Sequence, residues 1–281
     1  MKVGFIGIGS MGLPMAQRIQ SCGHDLVLWA RREASLAPFT GTNATVVASP
    51  AEMGAIVDCV GICVFDAQGV DEVLFGAYGV AETLRPGSVI MMHSTVSSDE
   101  VQELAGKSAA RGLRMLDAPV SGGQSQASIG KLTVMVGGEQ SALADVAPVL
   151  ASFSDHVVHL GPVGAGSKAK LINNTLFSAQ IVLADYAMTA GSSMGLDLDG
   201  LTDVLMRSSS ACVGSSIRLS TGSLAGIWAR PAGAALVKDI KLTREVLGKA
   251  PGQELLEIAD RFVVAMEAAA RTQASPPSRP D

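Results

Sequence analysis

A lysine, an asparagine and a serine fall in line at Lys170, Asn174 and Ser178, each four residues from the last. Residues four apart share one face of a helix, and the residues around them (Leu171, Ile172, Leu176, Phe177, Ile181, Leu183) are apolar. Polar groups on such a helix cost free energy unless the stripe lines a polar cleft. A lysine partly withdrawn from water loses its preference for the charged form, and it can then serve as a general acid or base near neutral pH. Lys170 is therefore expected to transfer a proton. Spacing alone also allows a surface lysine on an amphipathic helix, and Lys168, nearly opposite Lys170, fits that description better.

A second cluster reads Gly7-Ile8-Gly9-Ser10-Met11-Gly12, directly after a short apolar run and at the start of a helical pattern. In such a turn the first glycine allows the tight bend and the second lets a pyrophosphate approach the backbone. The third lets helix and strand pack closely. The helix N-terminus adds unpaired N–H groups and the positive end of its dipole. Gly7, Gly9, Ser10, Met11 and Gly12 are thus expected to bind a dinucleotide. The next strand ends in Ala30-Arg31-Arg32. An NAD site places Asp or Glu there to accept from the ribose 2′-hydroxyl. Here Arg31 and Arg32 could grip a 2′-phosphate, which favours NADP and leaves NAD possible, although a solvated arginine pair would read the same.

A third cluster, Asp117-Ala118-Pro119-Val120-Ser121-Gly122-Gly123, follows another strand-like run. Its serine and glycines leave backbone N–H groups bare, which suits a carboxylate as well as an ordinary turn. Other reactive residues form no site. Lys238-Asp239 reads as a charged helix face, and the histidines at 24, 93, 156 and 159 make no ligand cluster or triad, so no metal is expected. Cys22, Cys59, Cys63 and Cys212 lack disulfide or zinc spacing and read as small buried residues.

The elements that must position these residues alternate in type. Strands are expected at 2–7, 25–29, 44–47, 56–65, 88–93, 114–117 and 132–136, and helical patterns at 11–22, 71–75, 98–110 and 140–152. This alternation predicts an α/β fold with a doubly wound, mostly parallel sheet. From 164 to 192 no proline interrupts an apolar-rich segment, enough for a helix about 40 Å long. Domains are therefore placed at 1–162 and 163–271, with a proline-rich disordered tail at 272–281. The chain has 281 residues, a net charge of −5 and 48% hydrophobic residues, so it can bury a large core and lacks the basic field of a nucleic-acid binder. No apolar run is long enough to span a bilayer, and the opening lacks a signal-peptide pattern, so a cytoplasmic protein is expected.

Four segments together resemble the β-hydroxyacid dehydrogenase family, which includes 3-hydroxyisobutyrate dehydrogenases and the tartronate, glyoxylate and succinic semialdehyde reductases. They are the opening 3–16 with Gly23-His24, the 117–123 motif, the 161–174 glycine-lysine-asparagine stretch, and Lys238-Asp239. The resemblance implies an N-terminal Rossmann domain and an all-α domain that is built around a long inter-domain helix and forms a homodimer or homotetramer. It implies NAD(P)-dependent interconversion of a small 3-hydroxy acid with its semialdehyde or keto acid, and no nucleic-acid or membrane partner. Lys170 would be the acid/base; Ser121, Gly122 and Gly123 would hold the substrate carboxylate with Asn174 beside it. Val64, Phe65 and Thr95 would line the cofactor, with Lys238 on its nicotinamide side. Imine reductases of similar fold replace the lysine, as would a non-catalytic dinucleotide-binding module, so Lys170 argues against both. Three departures stand out: Ser97-Ser98 where a proline often follows Ser-Thr, the divergent segment 208–230, which leaves the substrate's identity open, and the lack of the acidic Ser-Ala closing pattern that many members carry.

Overall fold

A computed structural model describes residues 1–228, 231–248 and 251–274. Nine strands form one sheet: β1 (Lys2–Ile6), β2 (Asp25–Trp29), β3 (Thr45–Val46), β4 (Cys59–Ile62), β5 (Val89–Met92), β6 (Arg114–Asp117), β7 (Val120–Ser121), β8 (Leu132–Gly137) and β9 (Ser154–Gly161). The order is β3-β2-β1-β4-β5-β6-β8-β7, with β9 beside β8. The strands from β3 to β6 are parallel; β8 runs antiparallel to β6 and β7 but parallel to β9. Strand order reverses between β1 and β4, which is where doubly wound sheets bind nucleotides at their carboxyl ends.

Helices α1 (Gly12–Ser21), α2 (Pro50–Gly54), α3 (Ala67–Phe75), α4 (Ser98–Ala109), α5 (Gly123–Ser128) and α6 (Gln140–Leu150) alternate with the strands. Parallel strands are covered on both faces and so carry unbroken apolar runs. Val3, Phe5, Leu28 and Met91 pack with Met15 and Ile19 of α1 and Val146 and Leu150 of α6. Val27, Val60, Ile62 and Ile90 face the other way, against Val70 and Leu74 of α3 and Val101 and Leu104 of α4. The Ser97 departure has a local explanation. Its hydroxyl accepts from the Glu100 amide while the Glu100 carboxylate accepts from the Ser97 amide, a capping box that starts α4.

The remaining helices are α7 (Ala165–Ser193), α8 (Leu198–Arg207), α9 (Val213–Thr221), α10 (Leu224–Trp228), α11 (Pro231–Leu247) and α12 (Gln253–Ala274). Two compact units, Met1–Lys170 and Leu171–Asp281, divide the chain within α7. The second unit's core joins Ala179, Ile181 and Val182 of α7 with Leu236 and Ile240 of α11 and Phe262 and Met266 of α12. Arg218 of α9 ties to Asp185 of α7, Nε to Oδ1 at 2.6 Å. Helix α12 runs to Ala274, three residues into the segment expected as a tail; residues 275–281 lie outside the described residues. Among the described residues no helix is long and apolar enough to cross a membrane.

The core of the first unit holds a histidine. His93, past the end of β5, is 4% exposed and lies between the rings of Phe5 and Phe153. Its Nδ1–H donates to the Ala118 carbonyl at 2.8 Å, which makes Nε2 the bare nitrogen, and that atom is buried with no hydrogen-bond partner. Burial pushes the imidazole down to about 4, against the Ala118 bond. A folded value below the unfolded one means stability that is full above about pH 6.5 and lost as pH falls through 4. Relative to His93→Gln, the wild type should lose on the order of 3 kcal/mol of unfolding free energy between pH 7 and 4. Urea unfolding at the two pH values measures it, and a pH-independent difference would show that the ring is not held neutral.

Candidate active site

The turn between β1 and α1 contains Gly7, Gly9, Ser10, Met11 and Gly12. Gly7 has φ +98°, and a Cβ there would collide with the Cys63 carbonyl; a Cβ on Gly12 would collide with the Gly7 carbonyl. Both glycines are therefore required by the protein's own backbone. Gly9 is different. It is exposed, and a Cβ on it would meet no protein atom within 4 Å. Internal packing does not demand a glycine at this position, and the backbone there is open to a group approaching from solvent. Met11 caps α1 without a side-chain hydrogen bond, and the first turn carries no acid. The free amides suit phosphate oxygens, so the residues present fit a dinucleotide.

Other expected residues emerge at the same carboxyl end of the sheet. Arg31 and Arg32 follow β2; Arg31 pairs with Glu72 at 2.7 Å, both well exposed, while Arg32 makes no ion pair among the described residues. An exposed pair contributes at most about 1 kcal/mol, so it can yield to a phosphate. After β4, the Val64 amide donates to the Ser94 hydroxyl at 3.0 Å, and Phe65 leaves 62% of its surface exposed. Thr95 follows β5 and is partly buried. Burial pushes the Cys59 and Cys63 thiols up to about 12 and keeps them protonated.

After β6, the chain passes through Ala118-Pro119 to Ser121, Gly122 (φ +131°) and Gly123 (φ +73°). Positive φ at both positions is glycine's region, and both glycines are exposed. Asp117, at the end of β6, is fully buried. Its Oδ1 accepts from the Gly164 amide at 2.8 Å and its Oδ2 from the Ser167 amide at 2.7 Å. Burial pushes this carboxyl above its usual range, opposed by the two amide bonds. Lys170 follows in the next turn of α7 and is partly buried, whereas Lys168 is exposed.

In the second unit, Asn174 is buried, and its Nδ2 donates to Asp239 Oδ2 at 2.6 Å while its Oδ1 accepts from Asn173 Nδ2 at 3.0 Å. Thr175 and Thr243 hydrogen-bond at 2.8 Å one step further along. These bonds form a polar ladder between α7 and α11, and they leave one Asn174 amide proton for another acceptor. Ser178 is not open to a cleft as its stripe suggests. It is fully buried and donates to the Asn174 carbonyl at 2.9 Å. Lys238 is partly buried, with Nζ 3.6 Å from Asp239 Oδ1. Sequence reasoning assigned no role to Asp117 or Asp239. Their partners lie 47 to 65 residues away, and nothing local marks them except membership of their motifs.

Residues 2–161 match the family described as the NAD binding domain of 6-phosphogluconate dehydrogenase. Residues 164–274 match that described as the NAD-binding of NADP-dependent 3-hydroxyisobutyrate dehydrogenase. The L-threonate dehydrogenase of Cupriavidus necator is 38% identical over 208 residues, covering 74% of this chain and 70% of that protein. The chain belongs to the β-hydroxyacid dehydrogenase family. Mouse mitochondrial 3-hydroxyisobutyrate dehydrogenase is 35% identical over 75% of this chain and 63% of its own length. The crystal structure of a 3-hydroxyisobutyrate dehydrogenase from Salmonella typhimurium aligns with TM-score 0.82 and 30% identity, covering 97% of this chain and 95% of that one. As a β-hydroxyacid dehydrogenase, the chain is an NAD(P)-dependent oxidoreductase with a Rossmann domain followed by a helical domain.

Proposed function

We propose that this β-hydroxyacid dehydrogenase interconverts a small 3-hydroxy acid with its semialdehyde or keto acid, with Lys170 as general acid/base. The observation that carries the reading is that the phosphate turn, the arginine pair, Phe65, Thr95 and the 117–123 segment all follow carboxyl ends of strands, on both sides of the order reversal between β1 and β4. When bound, the dinucleotide supplies the hydride in reduction and accepts it in oxidation. Gly7, Gly9, Ser10, Met11 and Gly12 hold its phosphates, Arg31 and Arg32 its 2′-phosphate, and Val64, Phe65, Thr95 and Lys238 line the rest. Ser121, Gly122 and Gly123 hold the substrate carboxylate, with Asn174 beside it. As the carbonyl is reduced, Lys170 Nζ gives a proton to the oxygen and is reprotonated from solvent; in oxidation it removes the hydroxyl proton. The substrate domain is 163–271, the dinucleotide domain 1–162, and the enzyme is a cytoplasmic homodimer or homotetramer with no nucleic-acid or membrane partner.

A panel of 3-hydroxy acids with NADP⁺ or NAD⁺, and of semialdehydes with NADPH or NADH, tests the reading. Turnover of at least one carboxylate-bearing pair is expected, and none across the panel would refute it. NADP(H) should be preferred. Replacing Arg31 and Arg32 together by alanine should raise KM for NADPH roughly 10-fold or more and leave KM for NADH nearly unchanged, since each guanidinium–phosphate bond contributes about 1.5–3 kcal/mol. A wild type preferring NADH by about tenfold or more would overturn this preference.

A further inference from the structure

We propose that Asp117 is a positioning residue that sets Lys170 for proton transfer by hydrogen-bonding the first turn of α7. The inference rests on the reading of Lys170 given above. A helix start leaves its first amides without partners. The stretch before α7 supplies no side chain to take them, because Gly164, the residue just ahead of the helix, is a glycine at φ +94°. Asp117 takes the role from another strand. Its two carboxylate oxygens accept separately from the Gly164 and Ser167 amides, bonds strengthened by charge and by the positive end of the helix dipole.

The same turn is wedged against the sheet. A Cβ on Gly166 would collide with the Met135 carbonyl and lie 2.7 Å from the Asp117 carbonyl oxygen and 3.0 Å from the Gly137 amide. Backbone therefore meets backbone there, and the carboxylate fixes how far the helix is rotated and advanced. Lys170 lies three residues beyond Ser167, in the turn that follows directly from the one so fixed. Asp117 also opens the segment that leads to Ser121, Gly122 and Gly123, so one side chain ties the proton donor's helix to the carboxylate loop.

Asp117→Asn keeps the shape but turns one acceptor into an NH₂ group facing an N–H. Misplacement of a catalytic group by about 1 Å can cost about 10²-fold. Asp117→Asn is expected to lower kcat about 10–100-fold, with the dissociation constant for NADPH changed less than about threefold, because the phosphate turn belongs to β1 and α1. On a Lys170→Ala background it should lower kcat no further, since residues acting as one unit are not additive. Gly166→Ala, which pushes the same turn off the sheet and leaves Asp117 in place, should show the same pattern. If Lys170→Ala keeps its kcat, the reading of Lys170 fails and the inference falls with it. If Lys170→Ala is impaired but Asp117→Asn or Gly166→Ala is not, or if either cuts kcat by its full factor on the Lys170→Ala background, the inference alone is overturned. Loss of NADPH binding in Asp117→Asn also overturns it, since the residue would then be holding the domain together.

Discussion

Replacing Lys170 by alanine is expected to reduce kcat by about 10²–10⁴-fold, the usual worth of a positioned acid–base group. Alanine preserves the helix, and the bonds that start α7 come from the Gly164 and Ser167 amides, which the substitution leaves in place. Binding of NADPH should therefore change little. Lys168→Ala is the matched control: the two lysines share one helix and nearly one sequence position, but Lys168 is exposed and Lys170 is partly buried. Steady-state rates at saturating substrate measure both. Equal losses in the two variants, or a near-normal kcat for Lys170→Ala, would contradict the assignment.

The second large effect concerns the substrate. A semialdehyde acid and its neutral amide have nearly the same shape and the same reacting carbon. Gly122 and Gly123 are exposed and at positive φ, and the amide loses the charge that, in the proposed function, they and the Ser121 hydroxyl would meet. Hydrogen bonds to an ionised group contribute about 1.5–3 kcal/mol each, so the loss of two should reduce kcat/KM by roughly 10²-fold or more. Measuring kcat/KM for both compounds decides it, and equal values would remove the carboxylate loop from the account.

Most of the frame was legible in the residues. The expected strands at 25–29 and 114–117 match β2 and β6, and the proline-free stretch from 164 to 192 is α7 shifted by one residue. These succeed because apolar periodicity and breakers act locally. The expected strand 56–65 shrinks to Cys59–Ile62, because the Ile56 amide is spent on the turn at Met53 and the chain leaves the sheet after Cys63 bonds to Ile6. Helices α2 and α5 and strand β7 are too short for a period to show. The glycine turn between β1 and α1 was readable because Gly7 and Gly12 each have a separate local reason. The role of Asp117 was not, because a side chain that caps a helix from a strand 47 residues earlier leaves no pattern in either segment. The polar stripe on α7 was half readable. Four-residue spacing gave the shared face of Lys170, Asn174 and Ser178, but not that Ser178 would turn inward onto the helix backbone.

The central claim is that Lys170 moves the proton during hydride transfer to a carboxylate-bearing carbonyl compound. A single-turnover experiment tests it most directly, because it separates chemistry from binding and product release. Enzyme in excess over NADPH, so that all the NADPH is bound, is mixed with excess semialdehyde acid identified from the panel, and the loss of reduced-nicotinamide absorbance is followed in wild type and in Lys170→Ala. The account predicts that the rate of that loss falls about 10²–10⁴-fold in the variant while the NADPH dissociation constant stays within about twofold. An unchanged rate in Lys170→Ala, with NADPH bound as tightly as in the wild type, would contradict it.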